Sequence, residues 1–508
     1  MGTMAGIEPI EPVKQGWAWW RHLYLALPLA FFALMFLFYP FRERFEFDLD
    51  EGGEAMKALL VARGYPLYSQ VWSDQPPVLT YIVAAFVRIL GPDVDAGRTI
   101  ILLFSTALMA ASALFLRTQW GVWHAVAGAL LIFCLPFYTV LSVSLMFGLP
   151  AIAFAMLSLL ALSVWHQQRR NLWLILSSLA LVLSVYTKLF TGFLAPIFVV
   201  GILLAGWRRR SKPIAWRSLL SPTIIWSLTF AIPFIVIALF VVGPANVYQL
   251  LGTHLEARQL AAYISQTNAQ PISWHLRDAW PVLLLAGLGS LFVILERRWV
   301  SFYLIAWIAV AYALLSFQVP VWYHHQLLVT VPAALMAAIA AGEGLRLLPQ
   351  VFRSRAFLSM NALFVLSSLA GFITALVVRI PLALPDFYRP LVFVTQAAHA
   401  PWAEQMFLTK MSNHAAETRW AVTDLPMYAF RVGLLVPPYL GFITEKRLAT
   451  GEVTEEQILQ IIEEYHPEQV LMGRRAYPLL TQYLQVNYRL LYERGKRDLY
   501  LRKDLKGP

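Results

Sequence analysis

Leu172-Trp173-Leu174-Ile175-Leu176-Ser177-Ser178-Leu179-Ala180-Leu181-Val182-Leu183-Ser184-Val185-Tyr186-Thr187-Lys188-Leu189-Phe190 decides the class of this chain. An apolar run, Leu172–Thr187, is followed across one lysine by a second, Leu189–Trp207. Arg169 and Arg170 precede the first run, and Arg208, Arg209 and Arg210 follow the second. Runs of this length cross a bilayer as helices. Arginines at the two far ends place those ends on one side, the side that retains positive charge. Lys188 then lies alone at the opposite end.

The pattern repeats outward in both directions. Candidate spans are Leu23–Phe41, Thr99–Leu116, Val122–Leu141, Leu145–Trp165, Leu172–Thr187, Leu189–Trp207, Leu219–Val242, Pro281–Leu295, Ser301–Phe317, Gln326–Ala341 and Phe357–Val378, about eleven crossings. The first run lacks a small-residue cleavage site and reads as a retained anchor. Of the 508 residues 59% are hydrophobic and 14% charged, and mean hydropathy is +0.61. Soluble domains carry about a quarter charged residues. The net charge of +11 would suit a nucleic-acid binder. Its placement in short clusters between apolar runs excludes that reading. Cys134 is the one cysteine and lies inside an apolar run, so no disulfide forms within the chain.

Val78–Leu90 is apolar but short, and charge parity tests it. If it does not cross, five clusters share one side: Arg117; Arg169 and Arg170; Arg208, Arg209, Arg210 and Lys212; Arg297 and Arg298; and Arg346, Arg353 and Arg355. The expected architecture is therefore a polytopic α-helical membrane protein. Residues 1–22 are cytoplasmic, 23–380 form the transmembrane domain, and 381–508 form a small extracytoplasmic α/β domain. Loops 42–98 and 243–280 lie on the same outer side as the tail. The tail offers short buried strands at Trp420–Thr423 and Gln469–Met472. A helix over Thr454–Tyr465 has Thr454 as N-cap, and a hairpin pairs Tyr488–Tyr492 with Asp498–Arg502.

The first outer loop is the most unusual segment: Phe45-Glu46-Phe47-Asp48-Leu49-Asp50-Glu51-Gly52-Gly53-Glu54. Carboxylates held close raise one another's pKa, which suits a general base. Asp48 and Glu51 also have capping-box spacing, so the same acids suit a helix N-terminus. Lys188 either snorkels to the surface or holds an anion. Tyr323, His324 and His325 stand in a short outer loop. Adjacent histidines point in different directions and no further ligand follows, so a phosphate suits them better than a metal; an interfacial aromatic belt is the plainer reading. In the other long loop Arg258, near His254 and Glu256, could clamp an anion or belong to a solvated face. Trp72-Ser73-Asp74-Gln75-Pro76-Pro77 shapes an extended entry to the next helix, with Asp74 a possible substrate contact.

Together these features resemble the GT-C glycosyltransferases, in the bacterial branch related to protein O-mannosyltransferases and the lipid A aminoarabinose transferase. The resemblance spans roughly Leu23 to Ala341. It implies an Asp-Glu signature at Asp50-Glu51, a carrier-phosphate lysine at Lys188 and an aromatic-basic loop at Tyr323 and His324. Two departures stand out. Relatives often have Lys-Pro-Pro where this chain has Gln75-Pro76-Pro77, and often carry an acid where Ser142–Leu149 has none. The implied donor is a sugar on a polyprenyl phosphate, presented on the outer face of a bacterial inner membrane. Asp50 is the implied base toward an acceptor hydroxyl on glycan, lipid or protein, with inversion and with Glu51 orienting. Lys188, Arg258, Tyr323 and His324 are the implied phosphate contacts, and Asp48, Asp74 and His325 further contacts. No cofactor is expected, and a divalent metal is not favoured. No Gly-rich phosphate cradle occurs, consistent with a lipid phosphate donor. A transporter or flippase, or a non-catalytic binder of a lipid-linked sugar, is the alternative. Inverted repeats and broken midplane helices, the marks of many transporters, are not evident in the sequence.

Overall fold

A computed structural model describes residues 23–207, 216–260, 270–353, 360–396 and 401–505. The N-terminal segment 1–22, the basic residues Arg208, Arg209, Arg210 and Lys212, and Arg355 fall outside them.

The protein is a polytopic helical membrane protein. Eight of its described helices are long and apolar enough to cross a membrane. The chain opens with α1 (Leu23–Phe38), α2 (Leu49–Ala62), α3 (Pro77–Leu90), α4 (Val94–Gln119), α5 (Val122–Phe133) and the single turn α6 (Tyr138–Leu141). It continues with α7 (Gly148–Gln168), α8 (Asn171–Val185), α9 (Leu194–Trp207), α10 (Trp216–Ile237), α11 (Val247–Ala257) and the short α12 (Ile272–His275). Then follow α13 (Trp280–Leu295), α14 (Phe302–Ser316), α15 (Leu327–Arg353) and α16 (Met360–Gln396). Three of the expected spans are shorter apolar helices, within Leu23–Phe41, Val122–Leu141 and Leu172–Thr187. The second is broken by physics the sequence displays: α5 stops at Phe133, two residues before Leu135-Pro136, because proline cannot continue the hydrogen-bond ladder.

The centre of the bundle is α15, buried along its whole apolar length. Its alanines let neighbouring helices come close, as small residues do in membranes. Gly289 of α13 shows how close: a Cβ there would stand 1.9 Å from the carbonyl oxygen of Met336.

At one end of the bundle the loops meet the C-terminal unit. Its helices are α17 (Pro401–Asn413), α18 (Pro426–Val432), α19 (Glu445–Ala449), α20 (Glu455–Tyr465) and α21 (Pro478–Asn487). Its strands are β1 (Ala421–Thr423), β2 (Gln469–Met472), β3 (Tyr488–Arg494) and β4 (Arg497–Arg502), in the order β1-β2-β4-β3. β1 and β2 run parallel, with Val422 opposite Val470, while β4 runs antiparallel to both β2 and β3. Thr454 caps α20 in a capping box with Gln457, and Gly495 turns the hairpin at φ 67°.

This unit is less separate than its composition suggests. One core joins Met56, Leu59 and Leu60 of α2 to Met427, Leu440 and Ile443. Glycine in a helix interior costs about 1 kcal/mol relative to alanine, and α2 carries two in succession. A Cβ at Gly52 would stand 2.7 Å from the backbone nitrogen of Met427, and one at Gly53 2.4 Å from the Phe442 ring. The pair is the seat on which the C-terminal unit rests. The helix α16 also runs on through Pro381 and Pro385 to Gln396, across the composition change.

Candidate active site

The site is built where the N-terminus of α2 faces the loop that holds Lys188. Asp48 caps α2, its Oδ1 accepting from the Asp50 N–H at 3.0 Å. Its Oδ2 accepts from the Tyr323 hydroxyl at 3.3 Å, which ties the Tyr-His-His loop to the helix start. The capping-box spacing resolves differently from its sequence signature. Glu51 accepts from the Phe47 N–H at 2.9 Å, one residue before the cap. Its main partner is Arg98, whose Nε and Nη2 donate to its two oxygens at 2.9 and 2.8 Å. Both side chains are fully buried. Arg98 also donates to the carbonyls of Phe41 and Arg44, and the Leu145 N–H donates to Glu51 at 3.1 Å. Glu51 therefore fastens the loop after α1, the start of α4 and the Ser142–Leu149 loop together. Asp50, next along the helix, is aimed into the site by this fastening.

Water reaches the Asp50 carboxyl, yet protein surrounds it densely on several sides. Burial pushes it up to about 6, with help from Asp48 and Asp74 and against Lys446 and Lys57. Lys188 stands just past the end of α8, within electrostatic reach of Asp50. Burial brings its ammonium down to about 8, resisted first by Asp50 and then by Asp74 and Glu54. The loop is held by the Val78 N–H, which donates to the Tyr186 carbonyl at 3.0 Å, and by the Lys188 N–H to Ser184 at 2.9 Å. Pro76-Pro77 thus set the entry of α3, as expected, and place that helix against the Lys188 turn. Phe190 stands 5.9 Å from Lys188 Nζ and meets His325 edge-on at 5.2 Å. His324 packs on His325 and Tyr323, and its Nδ1 is buried without a hydrogen-bond partner.

Asp74 enters from the opposite wall and meets a residue that sequence reading did not find. Lys446, from α19 of the C-terminal unit, forms an ion pair with its carboxylate. Lys446 Nζ also donates to His254 Nδ1 at 3.1 Å, while His254 Nε2 lies 3.2 Å from the Asp74 carbonyl oxygen. Burial alone would raise the Asp74 carboxyl, but Lys446, His254 and Lys57 hold it well below the usual carboxylate range. Burial, then Lys446, pulls His254 down. Lys57 of α2 is fully buried, 2.5 Å from Glu54 and 3.3 Å from Ser73 Oγ. Burial still pushes Glu54 up to about 8, and Glu46, beside Glu51, to about 8 as well.

Asp48, Asp50, Asp74, Lys188, Tyr323, His324 and His325 therefore converge. Arg258 stands exposed at the end of α11, and is not among the charges that act most on Asp50 or Lys188. Among the described residues no group of three or more His, Cys, Asp or Glu side chains has the arrangement to hold a metal ion. Lys57 and Arg98 did carry a sequence signal, each being a lone cation beside apolar residues. Lys446 carried none.

Residues 74–237 match the family described as dolichyl-phosphate-mannose-protein mannosyltransferase. No curated protein matches the chain by sequence. Among solved structures, ArnT from Cupriavidus metallidurans bound to undecaprenyl phosphate is similar, with a TM-score of 0.59 at 12% identity over 97% of this chain and 100% of that one. Its apo state gives 0.60 at 13% identity, over 96% and 99%. The archaeal oligosaccharyltransferase AglB from Archaeoglobus fulgidus, in complex with an inhibitory peptide and a dolichol-phosphate, gives 0.55 at 12% identity, over 90% and 69%. The helical fold that the resemblance implied is borne out, and the ArnT match takes in the C-terminal unit as well as the bundle.

Proposed function

We propose that this protein is a membrane glycosyltransferase that moves a sugar from a polyprenyl phosphate to an acceptor hydroxyl at the outer face of the membrane. The observation that carries the reading is the exposed Asp50 at the start of α2 with Lys188 within its electrostatic reach, Asp50 being the charge that most favours the Lys188 ammonium. A base must lose its proton near neutral pH, and a carboxyl raised to about 6 does so while remaining basic enough to help. Asp50 takes the proton of the acceptor hydroxyl as its oxygen attacks the anomeric carbon. The bond from that carbon to the lipid phosphate breaks, the electron pair leaves with the phosphate oxygen, and the configuration inverts. The Lys188 ammonium stabilises the departing charge, stronger for being partly desolvated. His324 and Tyr323 border the same phosphate position, while Glu51 acts as a positioning residue through Arg98. The family matched over 74–237 is named for a lipid-phosphate-sugar donor, and the first similar structure holds a polyprenyl phosphate. Both favour this donor class for the present chain.

The test is release of polyprenyl phosphate from radiolabelled polyprenyl-phosphate sugars by the purified protein in detergent, beside reconstituted vesicles assayed for movement of the same lipid. Release with sugar transfer in detergent supports the enzyme. Movement across vesicles with no release from a broad donor panel would establish the transporter reading instead.

A further inference from the structure

A cavity of about 800 Å³ lies far from Asp50. It meets Gln119, the last residue of α4, and Trp120, which caps it, whereas Arg98 of the candidate active site is at that helix's start. At 1.5 Å per residue the two are separated by about 30 Å along α4, the thickness of a bilayer core. The walls come from α9 and α14, which are largely uncovered, and Val200 and Leu204 on the lining are about half exposed. Such a volume suits a ligand or a pair of acyl chain ends rather than a single solvent molecule. Its mouth is cationic: Arg169, Arg297 and Arg298 all line it, with Glu296 the acid next in sequence. Arg169 and Arg297 adopt φ of 59° and 52°, a left-handed conformation that non-glycine residues rarely take. Two of the five such residues among those described meet at this one cavity. Arg298 stands 5.2 Å over the Trp120 ring and Arg169 4.4 Å over Trp165, so aromatic faces orient the guanidinium groups. Deeper in, His166 Nε2 and the Tyr303 hydroxyl are 2.9 Å apart.

We infer that this cavity binds an anionic glycerophospholipid from the leaflet opposite the Asp50 site. The phosphate lies against the three guanidinium groups, and an acyl chain enters between α9 and α14. The apolar walls fit a lipid rather than a soluble phosphate, and the arginines select a net negative head over a zwitterionic one.

Native mass spectrometry of the full chain, with phosphatidylglycerol, phosphatidylethanolamine and undecaprenyl phosphate added in turn, tests this. One phosphatidylglycerol should be retained about tenfold more than phosphatidylethanolamine, the factor that one charge-assisted contact supplies. R297Q/R298Q should erase that preference, and Ala306→Trp, which fills the lining, should abolish retention. Polyprenyl phosphate binding at the Asp50 end should stay unchanged in Ala306→Trp, which also shows that this variant is folded. Equal retention of both phospholipids, indifferent to Ala306→Trp, would mean annular lipid only. Displacement of phosphatidylglycerol by undecaprenyl phosphate from wild type but not from Ala306→Trp would assign the cavity to the carrier. Either result overturns the inference.

Discussion

Glu51 gives both carboxylate oxygens to the buried guanidinium of Arg98, at 2.9 and 2.8 Å, while its neighbour Asp50 faces the water-reached space. Two adjacent acids of one motif therefore have opposite fates. Breaking a buried ion pair by removing one partner costs about 3–5 kcal/mol, because the other charge stays buried and unpaired. Glu51→Ala and Arg98→Ala should each lower the thermal midpoint in detergent by several degrees and take activity with it. Asp50→Asn should leave the midpoint at or above that of wild type, because burial and the neighbouring acids already disfavour its charge in the folded state. Equal loss of stability in all three would remove the distinction.

The pH dependence follows from the two facing groups. Asp50 must be ionised, so kcat/KM should rise with pH through about 6. Lys188 must be protonated, so it should fall again through about 8. The profile of the free enzyme should be a bell centred between these limits. Lys188→Arg should extend its alkaline limb, because a guanidinium does not deprotonate in this range. An unmoved alkaline limb in that variant would show that another group sets it.

Lys446 is tested through the acidic limb rather than through activity alone. Its charge lowers the Asp50 carboxyl, and that of Asp74 raises it. Lys446→Ala should therefore move the acidic limb to higher pH, and Lys446→Ala with Asp74→Asn should return it toward wild type. Coupling between contacting charges is about 0.5–3 kcal/mol, enough to resolve in such a cycle. An acidic limb that stays in place in both variants would make Lys446 a purely structural tie.

The seat of the C-terminal unit makes its own prediction. Gly53→Ala would place a Cβ 2.4 Å from the Phe442 ring. Overpacking of this kind costs about 1–3 kcal/mol. Limited proteolysis should then cut within residues 401–505 faster than in wild type. Gly287→Ala serves as a control for steric crowding, since a Cβ there meets nothing within 4 Å and its backbone is not left-handed. Cutting at the wild-type rate in Gly53→Ala would mean that Phe442 yields without loosening the unit.

Much of this fold could be read from the chain because a bilayer imposes it. Length and hydropathy located the long apolar helices, and lone charges at their ends, such as Lys188, marked where buried charged groups gather. The small sheet was legible for the same kind of reason: Thr454 and Gln457 form a local cap, and Gly495 a local turn. Two things were hidden. The span expected over Val122–Leu141 ran straight through Pro136, so neither the break there nor the left-handed conformation of Phe137, with its ring 5.1 Å from that of Tyr323, was read from the chain. The reach of Lys446 to Asp74, 372 positions away, depends on how two units dock, and no local pattern carries that information. The Gly52-Gly53 pair was its trace, since two glycines inside a helix indicate something pressed against it.

Single-turnover transfer by Asp50→Asn is the most direct test of the central claim. The variant is saturated with a radiolabelled polyprenyl-phosphate sugar and mixed with acceptor, and sugar transfer is followed beside wild type. The account predicts unchanged carrier binding and a transfer rate lower by about 10²–10⁴, the usual contribution of a positioned base. Transfer at the wild-type rate would contradict it, and the base would have to be sought elsewhere than at Asp50.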